Sequence, residues 1–457
     1  MFKKVLVANR GEIACRVLRA CRVLDIPSVA IYSKADSDSS HVRLADEAIC
    51  VGEASNVDSY LNLGNVLMAA EISGSDAVHP GYGYFSERAG FAEALRLQDI
   101  KFIGPPVSAI EAMGDKARAK QAAIEVGCPV VPGSEAGVAT EQEALQIAER
   151  IGYPVLLKAV AGGGGRGIRR VNDPGELARM WKTAQAEAQA SFGSGELIVE
   201  KCVVEPRHIE FQIMGDEHGN VVHLGERECS VQNPRHQKII EEAPFAFMTP
   251  ELRARMGGAA VRVARHTGYT NAGTVEFLLD ASGEFYFLEM NTRLQVEHPV
   301  TEEVTGLDLV ELQFLIASGE RLPFTQEDVG ISGHSIEARI TAQDPHKDFR
   351  PSTGRIVRWD MPGGRGVRVD THAYAGFSVS PYYDPMIAKL ICTGRDRAEA
   401  IARLTTALYE FHVEGIATNI PFLRQLTAHP DYLACRLSTK FVPDFLAEHG
   451  LREEETE

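Results

Sequence analysis

The sequence predicts a chain of mixed α/β and α+β class built from several domains, and three observations carry that reading. The first hundred residues alternate short apolar strands with helices. A turn-rich central stretch holds four consecutive glycines, Gly162 to Gly165. Beyond it two apolar strands flank Asp280-Ala281-Ser282-Gly283, and from His334 onward short strands alternate around a Gly363-Gly364 turn.

Taken in order, Lys4 to Ala8 is an apolar strand that ends in the turn Asn9-Arg10-Gly11. Ile13, Val17, Cys21 and Leu24 then recur at helical spacing, and Ser28 to Tyr32 begins the next strand. Such a β-α-β start predicts a parallel, Rossmann-like sheet. The Gly-x-Gly-x-x-Gly fingerprint is missing, which argues against dinucleotide binding. Later strands end at His79-Pro80-Gly81-Tyr82-Gly83 and Phe102-Ile103-Gly104-Pro105-Pro106. A helix over Lys116 to Val126 leads into Gly127-Cys128-Pro129, and a compact region follows from about 133 to 203. Strands and helices continue to about Leu322, and a helix covers about Ala398 to Glu410.

Composition bounds the function. The 457 residues are 44% apolar and 24% charged, as in ordinary globular proteins. With 63 acidic against 47 basic side chains the net charge is −16, which disfavours nucleic acid and anionic membranes as partners. The eight cysteines show no Cys-x-x-Cys pair, and Cys15, Cys50 and Cys392 lie in apolar stretches, predicting buried free thiols. The opening Met1 to Gly11 has too short an apolar run for a signal peptide, and nothing approaches a membrane span. A cytoplasmic protein is expected, with an acidic, solvated tail over 447–457.

Several segments carry chemistry. Leu156-Leu157-Lys158-Ala159-Val160 reads as a buried strand bearing one lysine, running into Ala161 and the glycines. Adjacent glycines let backbone N–H groups converge on phosphate oxygens, yet no Gly-Lys-Ser/Thr follows, so this is no P-loop. A surface hairpin and a mobile nucleotide lid both fit, and the neighbouring lysine favours the lid. Alternation in Arg207 to Ile213 places His208, Glu210 and Gln212 on one face, either towards a ligand or towards water. The strands Gly273 to Leu279 and Phe285 to Asn291 form a hairpin. If Asp280 opposes Phe285, Glu276 lies opposite Glu289. Facing carboxylates are destabilising unless compensated, and with the Asn291 amide they offer oxygen ligands for a hard divalent cation. A carboxyl pair on a wet sheet face is the alternative. In an extended chain Glu289, Asn291, Arg293, Gln295 and Glu297 all face one way before His298-Pro299. Upstream, Arg235-His236-Gln237-Lys238 adds positive charge.

With these stretches in hand, the chain resembles biotin carboxylase, a member of the ATP-grasp superfamily, over about residues 1 to 445. The matching runs are Ala8-Asn9-Arg10-Gly11-Glu12-Ile13-Ala14, His79 to Gly83, Met113-Gly114-Asp115-Lys116 and the glycine run. They continue with His236-Gln237-Lys238, Glu241-Glu242-Ala243-Pro244 and Glu289 to Pro299. The resemblance implies a Rossmann-like pre-ATP-grasp domain over 1–115 and an ATP-grasp domain over 116–330 with a mobile lid at about 133–203. A C-terminal biotin carboxylase domain would span 331–446.

It also implies roles. Lys116, Lys158, Glu200, Lys201, His208, Gln232, His236, Glu276 and Glu289 would contact ATP, with Gly163, Gly164 and Gly165 closing over its phosphates. Glu276, Glu289 and Asn291 would hold Mg²⁺ or Mn²⁺. Lys238, Arg293, Gln295 and the Val296 backbone would grip bicarbonate, Glu297 would be its general base, and Arg339 would stabilise the biotin enolate. Expected partners are a second copy of the chain, a biotin carboxyl carrier protein and a carboxyltransferase. No Met-Lys-Met attachment site is present, so biotin is expected as a carrier-bound substrate on another chain. Acetyl-CoA is the expected final acceptor, with pyruvate, 2-oxoglutarate and other acyl-CoA systems as alternatives.

The pattern departs from the family in three places. Gln232-Asn233-Pro234-Arg235 is one residue longer than the usual Gln-Arg-Arg, Ala161 replaces a common glycine, and Gln343 stands where Glu is usual. Another ATP-grasp ligase would share the lid and carboxylates but lack the Arg293 to Pro299 run and the Lys238 segment. A nucleotide-binding regulatory protein would not need every charged position filled.

Overall fold

The computed structural model describes residues 1–134, 137–160, 168–192 and 194–449. Five parallel strands open it: β1 (Val5–Val7), β2 (Ser28–Ser33), β3 (Glu47–Gly52), β4 (Ala77–His79) and β5 (Lys101–Phe102), in the order β3-β2-β1-β4-β5. Between β1 and β2 the helix α1 (Gly11–Val23) buries Ile13, Ala14, Val17, Leu18 and Cys21, the helical spacing read from the sequence. Strand order reverses at β1, so the loops after β1 and β4 open a crevice at the carboxyl ends of the strands. Asn9 spans it, its side-chain amide donating to the carbonyls of Pro80 and Tyr82 at 2.7 and 2.8 Å. Gly81 turns there with φ +62°, and a Cβ on it would come within 2.9 Å of the Asn9 amide nitrogen. Cys50, expected to be buried, is exposed because β3 is the edge strand of this sheet.

A second, small sheet orders β6 (Val155–Ala159), β7 (Ile168–Val171) and β8 (Leu197–Lys201) as β7-β6-β8, all antiparallel. Helices Glu141–Ile151 and Pro174–Phe192 accompany it. Its core of Val155, Leu157, Trp181, Ala184, Leu197 and Val199 is separate from the other cores. The glycine run and residues 450–457 of the expected acidic tail fall outside the described residues, while Ala447 and Glu448 of that tail close helix Phe441–Glu448.

The third sheet frames the site. It takes β9 (Arg207–Gly215), β10 (Val221–Gln232), β11 (Lys238–Ala243), β12 (Asn271–Leu279), β13 (Phe285–Asn291) and β14 (His334–Thr341), followed by strands Met386–Gly394 and Val367–Thr371. The order is β13-β12-β9-β10-β11-β14 and then those two, with antiparallel pairing throughout. This sheet runs unbroken across the boundary expected at 330/331. Ile209, Phe211, Ile213, Val275 and Phe277 form one face, packed with Met256 and Ala260 of helix Pro250–His266. Strand alternation sends His208, Glu210, Gln212, Thr274 and Glu276 to the other face. That face is buried too.

The hairpin of β12 and β13 departs from the expected register near its turn. Leu279, rather than Asp280, opposes Phe285, and Phe277 opposes Phe287. One extra residue, the exposed Leu288, then shifts the ladder so that Glu276 does face Glu289. The expected extended run also stops early: after Asn291 the backbone turns, Thr292 to Glu297 form bends and turns, and helix His298–Thr305 begins.

Candidate active site

On the polar face of the third sheet the Lys238 ammonium, at the start of β11, contacts three carboxylates at once. Glu210 Oε2 and Glu297 Oε1 are each 2.6 Å from its Nζ, and Glu276 Oε1 is 3.1 Å away. All three acids are almost wholly buried. Burial opposes these charges, but mutual attraction outweighs it. Lys238 is driven well above its ordinary range, while Lys238 and Arg227 hold Glu210 well below the carboxylate range, and Lys238 and His208 do the same for Glu276. Burial also disfavours a charged His208, yet the Glu276 carboxylate 2.9 Å from its Nε2 carries the imidazole up to about 9.

Glu297 joins this cluster to a second cation. Its Oε2 accepts from Arg339 at 2.9 Å, and Arg339 also grips Glu241 Oε1 through Nε at 2.6 Å. Burial, with the Glu297 charge beside it, pushes Glu241 up to about 7 although Arg339 pulls the other way. Lys238, Arg293, Val296 and Arg339 line a cavity of about 450 Å³ that opens towards Arg10 and Tyr82 of the first sheet's crevice. Gln295 and Asn291 donate to Glu276 Oε1 at 2.7 and 2.8 Å. Arg293 donates to Glu87 at 2.9 Å and to Asn291 Oδ1 at 3.1 Å. The Val296 carbonyl accepts from Lys389 at 2.9 Å.

Towards the small sheet, Lys158 on β6 and Lys120 hold Glu200 on β8 at 2.6 and 3.1 Å. Glu289 is half-buried opposite Glu276; burial and that neighbouring charge raise its carboxyl, with Lys116 opposing them. Gln232 reaches His208 Nδ1 at 3.3 Å. Among the described residues, His208, Glu210 and Glu276 lie close enough to share one ion, as do Glu210, Cys229 and Glu297. The expected pair of Glu276 and Glu289 with Asn291 is in register, but Asn291 presents its N–H rather than its carbonyl to Glu276.

Two expected residues do not join the cluster. Lys201 follows Glu200 and so points to the opposite face, where its ammonium caps the carbonyls of Gly152 and Tyr153 at 2.9 Å each. His236 is exposed on the longer turn before β11, at φ +60°. Gly163, Gly164 and Gly165 lie outside the described residues.

The sequence reading missed four residues. Lys120 lies one helical turn beyond Lys116, a spacing that could have found it. Glu241, in a run quoted only for its pattern, faces Arg339, and Glu87 holds Arg293 from a loop of the first sheet. Arg227 is wholly buried beneath the cluster. Its strand is irregular between His223 and Glu226, which hid its alternation.

Comparison with known proteins shows the relatives of the chain. Residues 1–110 match the family model of the biotin carboxylase N-terminal domain, and 337–444 that of the biotin carboxylase C-terminal domain. Residues 115–325 match the carbamoyl-phosphate synthase L chain ATP binding domain. The chain is 53% identical over 443 residues to a biotin carboxylase of Nostoc sp., covering 97% of this chain and 99% of the relative. It is 49% identical over 444 residues to the 2-oxoglutarate carboxylase small subunit of Hydrogenobacter thermophilus, covering 97% and 94%. A crystal structure of the biotin carboxylase domain dimer of Hydrogenobacter thermophilus 2-oxoglutarate carboxylase, with MgADP, ADP and bicarbonate, matches with TM-score 0.90. Identity to it is 48%, with 100% of each chain covered.

Proposed function

Because this chain belongs to the biotin carboxylase family, we propose that it uses ATP and bicarbonate to carboxylate biotin on a separate carrier protein, the first half-reaction of a biotin-dependent carboxylase. The observation that carries the reading is Glu297, a buried carboxylate held between Lys238 and Arg339 at the cavity lined by Arg293 and Val296. A base flanked by cations can take a proton from a small anion that the same cations hold.

In this reading bicarbonate displaces Glu297 from Lys238 and is gripped by Lys238, Arg293, Gln295 and the Val296 backbone. Glu297 takes its proton, and the anion's oxygen attacks the γ-phosphorus of ATP, giving carboxyphosphate and ADP. Carboxyphosphate breaks into CO₂ and phosphate. The phosphate takes the proton from the biotin ureido nitrogen, and that nitrogen attacks CO₂ while Arg339 steadies the enolate oxygen. Lys116, Lys158 and the Lys120–Glu200 pair hold the nucleotide, with His208 and Gln232 beneath it. Glu276 and Glu289 fit a hard cation, since two facing carboxyls, one pushed up by the other's charge, gain most from one. Mg²⁺ or Mn²⁺ there, with Asn291 adjacent, would neutralise phosphate charge.

The partners proposed are a biotin carboxyl carrier protein, a carboxyltransferase and a second copy of this chain. The carboxyltransferase sets the acceptor, with acetyl-CoA expected, and identifying the chain that co-purifies with this one tests that. Activity itself is tested by ADP release from the purified chain with Mg²⁺. Release should require bicarbonate and rise with free biotin; release indifferent to bicarbonate points to a different ligase.

A further inference from the structure

Arg227 is charged, wholly buried, and absent from the lining of the cavity. Every nitrogen of its guanidinium is engaged. Nε donates to Glu210 Oε1 at 2.5 Å. One terminal nitrogen donates to Gln212 Oε1 at 2.7 Å and Thr301 Oγ1 at 3.0 Å. The other donates to Thr274 Oγ1 at 3.1 Å and Gln295 Oε1 at 2.7 Å.

The consequence follows from what a guanidinium cannot do. It has five donors and no acceptor, so a glutamine facing it must present its oxygen. Gln295 therefore turns its N–H group the other way, and there it donates to Glu276 Oε1 at 2.7 Å. Glu210 is divided similarly: Oε1 belongs to Arg227, leaving Oε2 for Lys238. We infer that Arg227 is a positioning residue for the anion site, fixing the Gln295 amide with its N–H group turned to the Glu276 and Lys238 side and aiming Glu210 at Lys238. The inference rests on the reading of Gln295 as a bicarbonate ligand. Arg227 touches no reacting atom; it acts through residues that do.

A lysine at this position keeps the charge but loses the fork, leaving Gln295 free to rotate. The experiment compares wild type, Arg227→Lys, Gln295→Ala and the double variant in bicarbonate-dependent ATP cleavage, with melting curves for each. In Arg227→Lys the KM for bicarbonate should rise about tenfold or more, the weight of one charge-assisted hydrogen bond, while the KM for ATP stays within about twofold. The double variant should bind bicarbonate less weakly than the sum of the two single effects, because part of what Arg227 does runs through Gln295. Equal changes in both KM values, an unchanged bicarbonate KM, or additive effects overturn the inference.

If Arg227→Lys does not fold, the wild type decides. With ¹⁵N-glutamine labelling, and Gln295→Ala to assign the signal, the Gln295 amide protons should exchange slowly and shift when bicarbonate is added. Fast exchange, or no shift, overturns the inference. Wild-type ATP cleavage indifferent to bicarbonate removes the functional reading, and the inference with it.

Discussion

Glu297 and Arg339 touch each other, yet the proposed mechanism gives them different steps, and substitution separates the two. Glu297→Gln removes the base, so bicarbonate-dependent ATP cleavage and carboxybiotin formation should fall together, by about two to four orders of magnitude. Arg339→Ala should spare ATP cleavage more than carboxylation. ADP and carboxybiotin measured on the same samples check this; normal ATP cleavage by Glu297→Gln would reverse the order of the chemistry. His208 gives a second test. Its pKa, near 6.5 in the unfolded chain, is held at about 9 by Glu276 despite burial. Raised above the unfolded value, it contributes stability that is full below about pH 6.5 and lost as pH rises through about 9, on the order of 3 kcal/mol. Urea unfolding from pH 6 to 10 should show that decline in the wild type and a flatter profile in His208→Gln. Matching slopes would show that His208 does not carry the dependence. At this scale Glu276 opposite Glu289 was legible in the residues, while Lys238 and Glu297 were named together only through the resemblance. Lys201 was assigned with Glu200 through the resemblance although strand alternation sends the two to opposite faces, and Arg227 was missed because its strand is irregular.

Among the elements, the hairpin of β12 and β13 shows how a correct pairing can be reached from an incorrect turn. The apolar alternation and the Asp280 to Gly283 connection were readable. The bulge at Leu288 was not, since an extra residue in a ladder leaves no compositional mark. The bends from Thr292 to Glu297 were likewise hidden, and they bring Gln295 and Glu297 back over the sheet instead of along it. The small sheet of β6, β7 and β8 is a unit with its own core, in which Trp181 is buried. Trp181→Ala should cost about 3–5 kcal/mol, and the loss should fall on that unit alone. Limited proteolysis should then cut within 137–201 faster, and the KM for ATP should rise, while exchange protection in β9 to β12 is retained. Uniform loss of protection across both sheets would contradict a separate unit.

At the scale of the whole molecule, the third sheet joins segments that the sequence reading assigned to different domains. β14 carries Arg339 and pairs with β11, which carries Lys238 and Glu241. A chain ending at residue 330 would expose the β11 edge with its apolar Ile239 and Ile240, and unpaired edges recruit one another. That fragment should aggregate on expression, whereas the full chain stays soluble; a monomeric, cooperatively melting 1–330 fragment would show the sheet closing without its last three strands. The parallel sheet at the front was legible because local periodicity specifies it. The long sheet was not, because some of its pairings, such as β11 with β14, join residues about a hundred positions apart, and no local pattern records them.

The Lys389 ammonium, on strand Met386–Gly394, is fully buried; it donates to the Val296 carbonyl and sits 3.3 Å from Glu12 of α1. One side chain from late in the chain thus fastens the turn that presents Gln295 and Glu297 to a helix made among the first residues. On the ribosome, this means that β1 to β13 emerge well before the clasp that fastens this turn. A nascent chain can fold its first sheet and its small sheet early, yet the turn carrying Gln295 and Glu297 stays unfastened until Lys389, late in the 457 residues, has emerged. Synthesis itself therefore sets the sequence of assembly, with this fastening among the last contacts to form.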